Sequence, residues 1–341
     1  MASEAVAAAD SVELAQLQRD AETFKRVHPL EYYRRFLSQQ LRPDGRGLER
    51  FRDTSLSINP LATAHASALA KIGQTSVLCG IKAELAVPSL QTPGWGFVVT
   101  NVTFPPMCSA SSRLGPPSEQ AQALSRLMHG LVVGKQAASS TATAPSVPAP
   151  TTPLKSQSAQ AGMAESNPAD AGARGIVDLN ELCITRGELC WCLYVDAVCL
   201  DDAGNSTDAA LLAIVGALHA LVLPAVTLDA ASGKPGFNPS GNSTQLTLPA
   251  TPFAATFSLF DGNAFTLADP TAEEEAMQSG AVTIVADVSS ENPTLWTVHK
   301  PGGTPLSATA LRQCISQAVE RIKTLDALLQ AELASQSTAM E

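Results

Sequence analysis

Two groups of residues in this 341-residue chain have the types and spacing to do chemistry. The first is Asp269-Pro270-Thr271-Ala272-Glu273-Glu274-Glu275. Clustered carboxylates can hold a metal ion or raise one another's pKa for general-acid work. Runs of like charge are usually solvated, however, and composition alone reads this one as a solvated turn leading out of a strand that ends at Ala268. The second is Cys190 and Cys192, which alternate onto one face of a strand. No other Cys or His pair has ligand spacing, so they read as core packing and no metal site is assigned. The phosphate-cradling G-x-x-x-x-G-K-[ST], the nucleophile elbow G-x-S-x-G and the zinc motif H-E-x-x-H are all missing, and Gly94-Trp95-Gly96 lacks the third glycine of a dinucleotide loop. The five histidines are scattered.

The stretch that must position any site runs from Leu182 to Pro224. Leu189–Leu200 is almost continuously apolar, as befits a strand covered on both faces. Asp201-Asp202-Ala203-Gly204-Asn205 supplies a turn, and Thr207–Leu223 is apolar nearly all round, which predicts a helix inside the fold rather than on its surface. A membrane span over Ala209–Val226 is the competing reading, weakened by Pro224, many alanines and no flanking basic cluster.

The other elements follow from periodicity. Leu30–Gln40 predicts a short amphipathic helix after Pro29, and Arg42-Pro43-Asp44-Gly45-Arg46 a turn. Strands are expected at Thr54–Ile58, Ala66–Lys71 and Ser76–Leu85, with residues 72–75 as a hairpin connection. Gly94–Val102 and Phe104-Pro105-Pro106 read as a Pro-interrupted connection. Ser118 is the N-cap candidate of a helix carrying Leu124, Leu127, Met128 and Leu131. Further strands are expected at Leu246–Leu248, Phe253–Phe260, Asn263–Ala268 and Ala281–Asp287, then a long helix from Leu311 through Leu329. The order describes an α+β layered fold with mixed sheets.

Between Ala137 and Gly175, 26 of 39 residues are Ala, Ser, Thr or Pro, too little apolar surface to offset ordering. The expected organisation is one large domain, residues 28–136 and 176–335. A flexible leader (1–27), a disordered insertion (137–175), a second short flexible loop (229–245) and a tail (336–341) complete it.

Net charge is −10, which argues against a nucleic-acid binder using its whole surface. Nine of the 22 basic residues nevertheless lie between Arg19 and Arg52, so the negative charge is concentrated later in the chain. The N-terminus has acids and no apolar core of a signal peptide. Seven cysteines, an odd number set mostly in apolar runs, fit reduced thiols of a cytosolic or nuclear protein.

Seven segments, in order, resemble one family. They are His28–Leu37 (HPLEYYRRFL), Arg42–Thr54 (RPDGRGLERFRDT), Ala66–Ala86, Ser112–Arg126 (SRLGPPSEQAQALSR), Leu182–Ala210, Asp269–Met277 and His299–Gly303. Together they resemble the RNase PH-like ring subunits of the eukaryotic RNA exosome, over roughly residues 28 to 330. The Gly-Pro-Pro before the helix is similar to the branch descended from the non-catalytic archaeal ring subunit. The resemblance implies an RNase PH fold, a sheet and helix sandwich related to the second domain of ribosomal protein S5. It also implies a six-membered ring of such subunits under S1/KH cap subunits, with single-stranded RNA threading the channel. Nucleus, nucleolus and cytoplasm are the expected locations.

Active members degrade RNA with inorganic phosphate, which they bind by a Ser/Thr-Arg pair after a DAG-like turn. Here that turn is Asp202-Ala203-Gly204 and the pair is Asn205-Ser206, so no guanidinium of the pair remains to clamp phosphate. Active members also carry two aspartates six residues apart, at positions where this chain has Glu275 and Ala281. The acidic cluster thus resembles the relic of an active site, and no catalytic residue is assigned. The family's RNA-gripping arginines are thinned to Arg113, with Arg126 as a second RNA-binding candidate. The expected function is a non-catalytic ring subunit that scaffolds the channel, without cofactor or metal. The alternative is an active phosphate-dependent 3′-to-5′ exoribonuclease. A small-molecule kinase on a similar fold fails for want of a Gly-rich phosphate loop.

Overall fold

The computed structural model describes residues 16, 19, 21–110, 112–134, 175–228, 235–237, 244–289 and 293–339. The insertion expected at 137–175 lies, but for Gly175, outside the described residues, as do most of the leader and the last two residues of the tail.

A helical stretch at 21–27 precedes α1 (Pro29–Leu37), in which Pro fills the first helical position, where its missing N–H costs nothing. A six-stranded sheet follows, ordered β1 (Thr54–Ile58), β2 (Ala66–Ile72), β3 (Thr75–Ala86), β6 (Leu189–Asp201), β4 (Phe97–Thr103), with β5 (Cys183–Thr185) pairing β6. Neighbours are antiparallel except β4 and β6. The expected connection at 94–102 is therefore largely a strand. Alternate residues Val98, Thr100 and Val102 are buried while Val99, Asn101 and Thr103 face out, so a period-two pattern was present before Pro105.

Helix α2 (Glu119–Val133) starts as expected, the Ser118 hydroxyl accepting the Ala121 amide at 3.2 Å. Helix α3 (Ser206–His219) is buried along nearly its whole length. It packs on β2 and β3 at one side and on β11 (Pro252–Phe260) at the other. It ends earlier than expected because Val222–Leu223 (β7) pairs with Thr244–Gln245 (β10). A further short pair joins β8 (Val226–Leu228) to β9 (Pro235–Phe237). Leu246–Leu248 is not a strand: the Thr247 amide donates to a Glu181 carboxylate oxygen at 3.0 Å instead of to a neighbour strand.

The second sheet is antiparallel, ordered β12 (Phe265–Ala268), β11, β13 (Gly280–Asp287), β14 (Thr294–His299). Between β12 and β13 lies the short helix α4 (Ala272–Met277). The final helix α5 (Ala308–Ala339) covers β11, β13 and β1 with Cys314, Ala318, Ile322, Leu325 and Leu329. One continuous core, centred on α3, joins both sheets. Among the described residues no helix is long and apolar enough to cross a membrane.

Candidate functional site

The turn after β6 and the segment after β12 meet at the N-terminus of α3. Gly204 has φ +93°, and a Cβ there would lie 2.4 Å from the Ala272 nitrogen and 2.5 Å from the Thr271 carbonyl carbon. Only glycine allows the turn to press this closely against the start of α4. Asn205 follows at φ 57° and Asp269 at φ 52°, a conformation that Asn and Asp tolerate better than other side-chain-bearing residues.

The acidic cluster is not a solvated turn. Asp269 is 0% and Glu274 1% exposed, and Glu275 is half-buried; Glu273 alone of the four faces solvent. The reason is three arginines from far earlier in the chain. Arg52 donates to both Asp269 oxygens, from Nη2 to Oδ1 and from Nε to Oδ2, each at 2.8 Å, and its backbone amide adds a third bond. Arg46 reaches Asp269 Oδ2 at 3.4 Å. Arg42, itself 1% exposed, pairs with Glu274 at 3.4 Å and donates to the carbonyls of Leu48, Ala268 and Asp269. Glu274 also closes a capping box with Thr271 at the start of α4. Burial alone would raise the Asp269 carboxyl, but the Arg52 bonds and charge outweigh it and hold the group below the ordinary range.

Asn205 is the hub on the other side. Its side-chain amide donates to Asp269 at 2.7 Å and to Asp208 at 2.8 Å. Asp208, buried in the first turn of α3, accepts the Thr256 hydroxyl at 2.7 Å and amide at 2.9 Å. Burial pushes its pKa up to about 6 in spite of those bonds. The Asn205 backbone amide donates to Glu275 Oε1 at 2.7 Å. Glu275 is pushed up to about 7, chiefly by burial, with Asp202 and Asp208 adding negative charge nearby.

This geometry has a chemical consequence. The amide that opens α3 is the one an incoming anion would use, and a carboxylate of the chain itself already sits on it. A guanidinium does lie at the turn, Arg52 reaching the carbonyls of Ala203 and Gly204 at 3.2 and 3.0 Å, but its charge is committed to Asp269. Ala281, in β13 opposite Ser258, offers neither a proton nor a ligand. Among the described residues no group of three or more His, Cys, Asp or Glu is placed to hold a metal ion.

Arg113 is exposed on the loop before α2 and lines a cleft of about 460 Å³ with Asn101, Phe104, Gln120 and Asp202. Arg126 is exposed on α2 and does not line that cleft. Sequence reasoning set the Asp202–Gly204 turn and Glu275 each on active-site positions of the family through the resemblance, and the fold brings them together at the Asn205 amide. It missed Arg42, Arg46, Arg52 and Asp208. The signal available was three arginines at wide spacing around an Asp-Gly turn, with nothing to show that their partners lie more than 200 residues away.

Residues 50–224 match the 3′ exoribonuclease family, domain 1, and residues 250–321 match its domain 2. Exosome complex component rrp43 of Schizosaccharomyces pombe is 31% identical over 89% of this chain and 96% of its own length. Exosome complex component Rrp42 of Thermococcus onnurineus is 30% identical over 78% of this chain and 81% of its own. A solved Archaeoglobus fulgidus exosome with RNA bound to the active site contains a chain with a TM-score of 0.65 and 25% identity, covering 87% of this chain and 95% of that one. With both of the family's domains matched in order and the turn, α3 and the acidic segment assembled between them, the chain belongs to the 3′ exoribonuclease (RNase PH) family.

Proposed function

We propose that this chain is a non-catalytic, structural subunit of an exosome ring, supporting 3′-to-5′ RNA processing and decay by shaping the RNA channel. The observation that carries the silent-site reading is the Asn205 amide closed by Glu275 at 2.7 Å, with Arg52 spent on Asp269. Phosphorolysis needs inorganic phosphate delivered in line to a 3′-terminal phosphodiester, and delivery needs fixed positive charge. Here the approach meets a carboxylate. Losing even one preorganised donor to a developing charge costs ~3 kcal/mol, or two to three decades in rate. The relatives named as exosome components support the assembly part of the reading. Its partners are other RNase PH-like ring subunits and S1/KH caps, with single-stranded RNA in the channel held through Arg113 and Arg126. We place it in nucleus, nucleolus and cytoplasm.

A tagged copy expressed at its native level tests the assembly. It should bring down RNase PH-like partners in fixed stoichiometry. Recovery as a free chain under conditions that preserve other large complexes would contradict the reading.

A further inference from the structure

Among the seven thiols one offers oxidants a point of entry. Six of its seven cysteines are buried, and Cys183 alone is half-exposed. It lines an open depression of about 560 Å³ with Pro93, Asn180 and Arg186. Directly across the ladder from Cys183 stands Cys190 of β6. The Trp191 amide donates to the Leu182 carbonyl at 2.8 Å, one residue beyond each cysteine. That bond makes Cys183 and Cys190 a non-hydrogen-bonded antiparallel pair, whose Cα atoms lie ~4.5 Å apart with side chains on one face. This spacing falls within the ~4.4–6.8 Å that a disulfide spans. Cys192, two residues along the same strand, is ~6.7 Å from Cys190 and at the edge of that range.

Both thiols hold weak bonds that oxidation can release, Cys190 to the Ala86 carbonyl at 3.4 Å and Cys183 to that of Pro93 at 3.9 Å. Burial pushes the Cys190 thiol up to about 11, so it does not react first. It waits beside the thiol that does.

We propose that Cys183 is a site of reversible oxidation by hydroperoxides, with Cys190 as its resolving partner. The Cys183 sulfur attacks the distal peroxide oxygen, the O–O bond breaks, and the products are a sulfenic acid and an alcohol, or water when the oxidant is hydrogen peroxide. The Cys190 sulfur then attacks the Cys183 sulfur. The S–O bond breaks, the S–S bond forms, and the Cys190 proton leaves with the hydroxide as water. Two thiols lose two electrons, and one hydroperoxide gains them. The bond staples β5 to β6 and tightens the loop before β4, which the hairpin already holds through Gly187 N to Pro93 O at 2.8 Å and Gly96 N to Leu179 O at 2.9 Å.

The folded full-length chain is treated with a small excess of hydrogen peroxide, quenched with iodoacetamide in denaturant and digested with trypsin. Cleavage after Arg186 separates Cys183 from Cys190, and a second digestion with chymotrypsin, cutting after Trp191, separates Cys190 from Cys192, so the Cys183 and Cys190 peptides stay together only through the disulfide. The expected product is that linked pair, two hydrogens lighter than the sum of the free peptides and released by dithiothreitol. Cys190→Ser should leave Cys183 as a sulfenic acid trapped by dimedone, and Cys183→Ser should leave Cys190 unmodified. A Cys183 that stops at sulfinic acid in the wild type, links to Cys192, or stays reduced while Cys108 and Cys199 become linked would overturn the proposal.

Discussion

Glu275→Gln should make the protein more stable, and only at high pH. The folded protein raises this carboxyl from 4.5 to about 7, so between those values the folded state keeps a proton that the unfolded chain releases. The stability linked to that proton is fully present below 4.5 and is lost as pH rises through 7. The interval is 7 − 4.5 = 2.5, and at ~1.36 kcal/mol per pH unit it corresponds to ~3 kcal/mol. Water at a half-buried carboxyl screens part of it, leaving about 2 kcal/mol. Glutamine keeps an oxygen to accept the Asn205 amide and carries no charge at any pH. Urea unfolding followed by tryptophan fluorescence, at pH 5 and pH 8.5, reads the difference. The two chains should unfold at nearly the same urea concentration at pH 5, and the variant at a clearly higher one at pH 8.5. Asp202 and Asp208 are electrostatically coupled to Glu275, so the difference between the two chains reads the Glu275 charge together with its effect on those neighbours. Equal midpoints at pH 8.5, or a less stable variant there, would show that the carboxylate is comfortable on the amide and that burial does not penalise its charge as described.

Asp269→Ala removes the anion shared by Arg52, Arg46 and Asn205 and should cost on the order of 3–5 kcal/mol, seen as a large fall in the urea midpoint; a loss below 1 kcal/mol would mean that the arginines find other partners. Because Asp269 has a lowered pKa, its contribution should be present above about pH 4 and fade as acid drives pH down through its folded value. Deleting 138–174 and joining the ends with a short Gly/Ser link should preserve the fold, since Ile176 and Val177 donate back to the carbonyls of Leu131 and Val132 at 3.1 Å and the chain leaves and returns at one place. Shorter closure should add ~1–2 kcal/mol at most, and loss of ring incorporation would identify the segment as an interface. Arg113→Glu should weaken RNA protection by the assembled ring more at low salt than at high salt, as a phosphate contact requires; an unchanged footprint at both salts would assign Arg113 to surface solubility.

What could be read from sequence was whatever is local. The β2–β3 hairpin announces itself by alternation, α2 by Ser118 and its apolar stripe, and α3 by having no polar side. Strand β14 escaped notice because only Trp296 in it is buried, leaving no period to detect. The acidic segment was misread by composition because its burial depends on Arg42, Arg46 and Arg52, and such pairing leaves no trace in either stretch alone. Family resemblance supplied the turn at Gly204 and Glu275 as two separate active-site positions. It did not supply the direction of the Glu275 side chain, which depends on the buried Asn205 amide and on burial beside Asp202.

The central claim is that this chain's own pocket is chemically silent. A ring reconstituted with this subunit, supplied with inorganic phosphate and labelled single-stranded RNA, tests it by the release of nucleoside diphosphates. Wild-type ring and a Glu275→Gln ring should give the same rate of phosphate-dependent release, set by whatever the other subunits do and zero if they do nothing. Phosphorolysis by the wild-type ring that Glu275→Gln abolishes would contradict the account and show a living acid at Glu275.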